Sequence, residues 1–137
     1  MNSVRDSLLQ ALAAGPPARF VAIFGSTAKG THTADSDLDI AWQPKDPQLS
    51  LAEELQFQAA LTAAAGREVD LVRIDQASTL CRKEVAVDGE LLAGSRDEWV
   101  RFRAAAIDEF LDFEPAFRAA SERYRRWLAS GRESAKP

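Results

Sequence analysis

The stretch Phe24-Gly25-Ser26-Thr27-Ala28-Lys29-Gly30, followed by Asp35-Ser36-Asp37-Leu38-Asp39-Ile40, decides how this chain folds. Before it stands Arg19-Phe20-Val21-Ala22-Ile23-Phe24, apolar on both faces and rich in β-formers, which predicts a central buried strand. That strand runs directly into Gly25-Ser26. Glycine lets a neighbouring group approach the backbone closely. Ser26 brings a hydroxyl and free backbone N–H groups at a helix start, an arrangement suited to phosphate, and Lys29 adds positive charge nearby. After a small, polar stretch the chain re-enters the sheet at Asp37-Leu38-Asp39-Ile40-Ala41-Trp42. Its alternation puts Leu38, Ile40 and Trp42 on one face and Asp37, Asp39 and Ala41 on the other.

At i and i+2 on a strand, Asp37 and Asp39 point the same way. Two adjacent carboxylates stay ionised together only with a cation between them. Hard oxygen ligands select Mg²⁺. A third acid, Asp70, sits in the apolar run Val69-Asp70-Leu71-Val72, where an unpartnered carboxylate is expensive to bury. Placed beside the Asp37/Asp39 strand it makes three convergent carboxylates, enough for two metals about 4 Å apart to bridge a triphosphate and an attacking oxygen. Asp70 is then placed to take the proton of that oxygen. Glu68 has the same parity as Asp70 and competes for the third position. Asp35 is a further candidate for the metal, and Ser36 for the nucleotide.

Outward from this centre the elements alternate. Residues 3–14 read as a helix capped by Ser3 with Asp6 three residues on, and Gly15-Pro16-Pro17 ends it. Residues 50–65 form a second helix, capped by Ser50 with Glu53. Leu51, Leu55, Phe57, Leu61 and Ala65 give it one broad buried face, and Gly66 closes it. Ser78 to Asp88 is helical, with Leu80, Cys81, Glu84 and Val87 at helical spacing and Cys81 in the core. A short strand, Glu90-Leu91-Leu92-Ala93, follows. A long helix starts near Asp97, with Trp99, Phe102, Ala106, Phe110 and Phe113 on its apolar side. Pro115 forces a kink or restart. Phe117, Ala120, Tyr124 and Leu128 then continue the spacing.

The whole is one domain of 137 residues, with a core at about 15–94 and C-terminal helices at about 96–128. The expected fold class is α+β, a small mixed sheet with packed helices and a C-terminal helical segment. With 46% hydrophobic residues the chain can build a core. No apolar run approaches the ~18–20 residues of a membrane span, and the N-terminus has no signal-peptide pattern. A single cysteine and a single histidine exclude a disulfide framework and sites built on several imidazoles, and point to the cytoplasm. A net charge of −4 argues against strong nucleic-acid binding. The charge is uneven: Arg118, Arg123, Arg125 and Arg126 stand against Glu122 near the C-terminus, a basic face of solvated side chains or a contact with an acidic partner surface.

Gly25-Ser26, ten intervening residues and Asp37-Leu38-Asp39, with Asp70 in a Val-Asp-Leu-Val strand, resemble the signature of the DNA-polymerase-β-like nucleotidyltransferase superfamily. The short chain, and the order helix, Gly89 turn, short strand, long helix with Asp112-Phe113-Glu114-Pro115, are similar to the minimal nucleotidyltransferases of HEPN/MNT toxin–antitoxin pairs. The resemblance spans about residues 15–128. It implies the nucleotidyltransferase fold, Mg²⁺ as cofactor and ATP as substrate. It implies that Gly25 and Ser26 bind the triphosphate, that Asp37 and Asp39 bind Mg²⁺, and that Asp70 is metal ligand and base. An arginine is common in the family where Lys29 stands. The implied reaction moves AMP from ATP to a tyrosine hydroxyl of a HEPN-type RNase toxin, the expected hetero-oligomeric partner. Two alternatives stay open: transfer to a small molecule such as an aminoglycoside, and a non-catalytic antitoxin that acts by binding alone.

Overall fold

A computed structural model describes residues 3–25 and 37–131. Helix α1 (Val4–Ala14) starts where the reading of the sequence puts it. Ser3 Oγ accepts the Asp6 N–H at 3.1 Å and the Asp6 carboxylate accepts the Ser3 N–H, a reciprocal capping box. Strands β1 (Ala18–Phe24) and β2 (Leu38–Pro44) follow. Helix α2 (Leu51–Ala65) carries the same box at Ser50 and Glu53. Strand β3 (Val69–Arg73) leads through a short 3₁₀ turn, Ile74–Gln76, into helix α3 (Thr79–Asp88). Strand β4 (Glu90–Gly94) precedes helix α4 (Arg96–Ala129), whose N-cap is Ser95.

The four strands form one mixed sheet in the order β3-β2-β1-β4, with β1 antiparallel to both neighbours and β2 parallel to β3. The parallel pair needs a crossover, which α2 supplies. The alternation read along β2 holds. Leu38, Ile40 and Trp42 join Leu8, Val21, Phe57 and Leu61 in a core under α1 and α2. Ala41 lies in a second core with Phe20, Phe24, Val85, Trp99 and Phe102 under α3 and α4. Burying each of Phe20, Phe24 and Phe102 is worth about 1.5–3 kcal/mol over leaving it exposed. β1 contributes to both cores, as a strand apolar on both faces must. Trp42 is fully buried against Phe57, with ring centroids 4.7 Å apart.

The structure corrects three local expectations. Leu51 and Leu55 are exposed, and only Phe57, Leu61 and Ala65 of that face are buried, because Leu51 and Leu55 stand about 80° and 120° round the helix from Leu61, at the margin of the side that docks. In α3 the buried residues are Val85 and Ala86, while Leu80 and Val87 face solvent; the seam is rotated from the one read off the sequence. Of the kink or restart expected at Pro115, the restart does not occur, since α4 is one element through it. The carbonyl that loses its partner belongs to Leu111, which is exposed, so water can satisfy it.

Arg73 ties the far end of β3 down. Buried to 8% exposure, it donates to Asp75 Oδ1 at 3.0 Å and Oδ2 at 2.5 Å, to Glu54 at 3.3 Å and to the Pro47 carbonyl at 3.1 Å. Hydrogen bonding to Arg73 holds the Asp75 carboxyl below the usual carboxylate range.

Candidate active site

The carboxylates meet at one end of the sheet, where β1 leaves it and β2 and β3 enter. Asp39 on β2 stands opposite Phe24 on β1 and opposite Asp70 on β3, in register with both. In-register neighbours project from the same face of a sheet. Asp39 and Asp70 therefore share the face covered by α3 and α4, and Phe24 closes that side with apolar surface. Asp39 is half-buried and Asp70 exposed. Asp37 precedes β2 by one residue and is exposed, and Leu38 donates its N–H to the Glu68 carbonyl at 2.9 Å.

The electrostatics report the same convergence. Burial, then the charges of Asp70, Asp37 and Glu84, raise the Asp39 carboxyl above the usual range, and Arg67 works in the opposite direction. Glu68 is exposed and is not among these charges, so the structure sets Asp70 rather than Glu68 beside Asp39. Glu84 is the residue that reading the sequence missed in this role. It was visible there only as a position on the apolar spacing of α3, and its approach to the strands depends on how that helix docks. Cys81, one turn earlier, is part-buried and packs against the second core. Burial, then Glu84, Asp70 and Asp39, push its thiol up, so it stays protonated and is a poor nucleophile.

Gly25 is fitted to this arrangement in two ways. Its φ is +75°, in the left-handed region. A Cβ built on it comes 2.2 Å from Asp39 Oδ2, so backbone and carboxylate occupy adjoining space that no side chain can share. The other nucleotide-binding candidates, Ser26, Lys29 and Ser36, lie outside the described residues, as does Asp35.

Among the described residues, no three His, Cys, Asp or Glu side chains form a ready-made metal cluster. Beside the Cys81 thiol, the donors described there are carboxylate oxygens. Asp37 and Asp70 act on Asp39 as like charges, and that repulsion is what a hard divalent cation offsets. The residues fit such an ion. Chemically, the arrangement offers concentrated negative charge beside a backbone turn that holds no side chain.

Residues 7–98 match the family described as polymerase beta, nucleotidyltransferase. The chain is 30% identical over 95 residues to the protein adenylyltransferase MntA of Shewanella oneidensis strain MR-1, an alignment covering 69% of this chain and 68% of that protein. A crystal structure of a toxin–antitoxin with AMP-PNP matches with a TM-score of 0.79 and 24% identity, over 88% of this chain and 98% of the matched one. A structure of a tri-AMPylated Shewanella oneidensis HEPN toxin in complex with MNT antitoxin matches with a TM-score of 0.74 and 22% identity, over 89% and 96%.

Proposed function

We propose, from the premise that this chain belongs to the polymerase beta nucleotidyltransferase family, that it is a protein adenylyltransferase acting as an antitoxin. It moves AMP from ATP onto a tyrosine hydroxyl of a HEPN-type RNase toxin in the cytoplasm and so neutralises it. The observation that carries this reading is the in-register Asp39–Asp70 pair beside Gly25. The relative named a protein adenylyltransferase, and the AMPylated toxin in a complex of the same fold, support the choice of AMP and of a protein acceptor.

The acceptor oxygen attacks the α-phosphorus of ATP. The bond from that phosphorus to the bridging oxygen breaks, pyrophosphate leaves, and the proton of the hydroxyl passes to Asp70. Its exposed position lets an incoming acceptor reach it. Gly25 and Ser26 hold the triphosphate through backbone N–H groups and the serine hydroxyl, with Lys29 and Ser36 beside it. Asp37, Asp39 and Asp70 hold Mg²⁺, which when bound neutralises charge on the triphosphate. The domain is single; residues 15–94 carry the chemistry.

The test mixes the protein, Mg·ATP and the HEPN protein encoded beside it, and weighs the HEPN protein by intact mass spectrometry. Increments of AMP are expected, and Asp39→Ala abolishes them while leaving the fold intact. A stable complex of unchanged mass refutes transfer and leaves an antitoxin that works by contact. An unmodified HEPN protein together with a labelled aminoglycoside refutes the protein acceptor.

A further inference from the structure

The family match ends at residue 98, in the first turn of α4. The toxin–antitoxin structures match 88% and 89% of the chain, so at least about twenty residues beyond that point share their fold as well. Past Ala106 those residues add nothing to the buried core. Trp99, Phe102 and Ala106 are the buried residues of α4. Residues 107–129 run on for about 34 Å.

The face that is buried up to Ala106 does not stop there. At alternating steps of three and four residues it continues through Phe110, Phe113, Phe117, Ala120, Tyr124 and Trp127. Phe113 and Phe117 lie with ring centroids 5.5 Å apart, and Tyr124 stacks on Trp127 at 5.7 Å. Phe117, Tyr124 and Trp127 are nonetheless 39%, 59% and 46% exposed. Three-four spacing is the seam onto which a second helix packs. Pro115 falls on the opposite side of α4, about 170° from the middle of the stripe at 100° per residue, so it leaves the seam unbroken. Arg123 and Arg125 flank the stripe on its two sides, with Arg126 behind. None of these three guanidinium groups makes an ion pair or hydrogen bond among the described residues. Arg118, by contrast, pairs with Glu114 on the same helix. Phenylalanine, tyrosine, tryptophan and arginine around one stripe is the composition of an interface centre.

We infer that this distal stripe of α4 is the surface on which the HEPN partner docks, through an apolar helical groove rimmed by acidic side chains. The inference rests on the function proposed above. The basic flank argues for an acidic partner surface rather than the same stretch of a second copy, which between residues 114 and 127 carries four arginines against two glutamates. A second copy lying antiparallel, with Asp108, Glu109 and Asp112 against those arginines, is the competing occupant.

The experiment uses the full chain and the HEPN protein encoded beside it. Affinity is read by calorimetry, AMP transfer by mass, and the state of the chain alone by sedimentation. Phe117→Asp/Tyr124→Asp is expected to weaken the complex at least 100-fold and to slow transfer at low toxin concentration, with recovery at high concentration. Mg·ATP binding to the chain alone stays unchanged. Ala119→Glu, at an exposed position off the stripe, leaves affinity within twofold. Arg123→Glu/Arg125→Glu/Arg126→Glu lowers the association rate about tenfold and removes most of its salt dependence. Wild-type affinity in Phe117→Asp/Tyr124→Asp, with transfer by the wild type intact, overturns the docking surface and spares the proposed function. A wild type that neither binds nor modifies the HEPN protein overturns both. A dimer that the double variant converts to monomer, with toxin affinity unchanged, gives the stripe to a second copy and overturns the inference.

Discussion

Replacing Gly25 by alanine tests whether the backbone turn and the Asp39 carboxylate are one fitted unit, and Gly66→Ala supplies the control. Both glycines have nearly the same backbone, φ +75° and +71°. Around Gly66 an added Cβ meets nothing within 4 Å, so that variant carries only the cost of a left-handed L-residue, about 1–2 kcal/mol. At Gly25 the same cost applies, and the Cβ also falls 2.2 Å from Asp39 Oδ2. The carboxylate must swing off its rotamer, which adds about 0.5–1.5 kcal/mol. Gly25→Ala should therefore cost about 1.5–3.5 kcal/mol in urea unfolding followed by far-UV circular dichroism. The excess over Gly66→Ala should vanish once Asp39 is also alanine, a coupling of about 0.5–1.5 kcal/mol in the double-mutant cycle. AMP transfer by the folded variant should fall by about 10²-fold, because a displaced carboxylate loses its alignment. If Gly25→Ala costs no more than Gly66→Ala and the cycle is additive, the contact with Asp39 is irrelevant and the reasoning fails.

Asp39→Asn should abolish transfer yet stabilise the fold at pH 7. The folded pKa of Asp39 is raised by burial and by neighbouring carboxylates, so its ionised form opposes folding above that pKa; the gain should disappear as pH falls below 3.8, and thermal unfolding at pH 7 and pH 3 checks the sign. Asp75 runs the other way. Its pKa is lowered by Arg73, so the stability it contributes is complete above 3.8 and is lost as pH falls through the folded value, and Asp75→Asn should flatten that acid limb. Arg73→Met should cost about 3–5 kcal/mol in urea unfolding, because it leaves Asp75 and Glu54 without their cation. Cys81 is the single cysteine and reports the site without any substrate: Asp70→Asn and Glu84→Gln should each lower its pKa and speed alkylation by iodoacetamide at pH 8, and an unchanged rate would place those acids away from it.

Much of the fold was legible because local chemistry and tertiary context agree. Ser3 with Asp6 and Ser50 with Glu53 cap helices in sequence and in structure, and the two faces of β2 sort into two cores as their alternation requires. The pairing of Asp39 with Asp70 followed from two short strands and one crossover helix. What was not legible depends on where elements end relative to one another. Leu51 and Leu55 belong to the broad apolar arc, but α2 docks through its Phe57–Leu61–Ala65 side and leaves them at the exposed margin. Glu84 faces the acids only because α3 docks on its Val85–Ala86 side. Pro115 was read by its missing N–H alone, and the tolerance of an exposed helix for one unpaired carbonyl has no local signature.

α4 is a single helix with its base locked in the core and its far end bare. It therefore acts as a ruler. Adding one residue between 107 and 113 would push the stripe about 1.5 Å outward and turn it by about 100°. Adding three or four would nearly restore its rotational phase while lengthening the reach by about one helical pitch. Whichever molecule is held at the tip meets the carboxylates at a span and bearing set by helix length. On the docking proposed above, changing that length would retune which acceptor is presented while strands β1, β2 and β3 stay as they are.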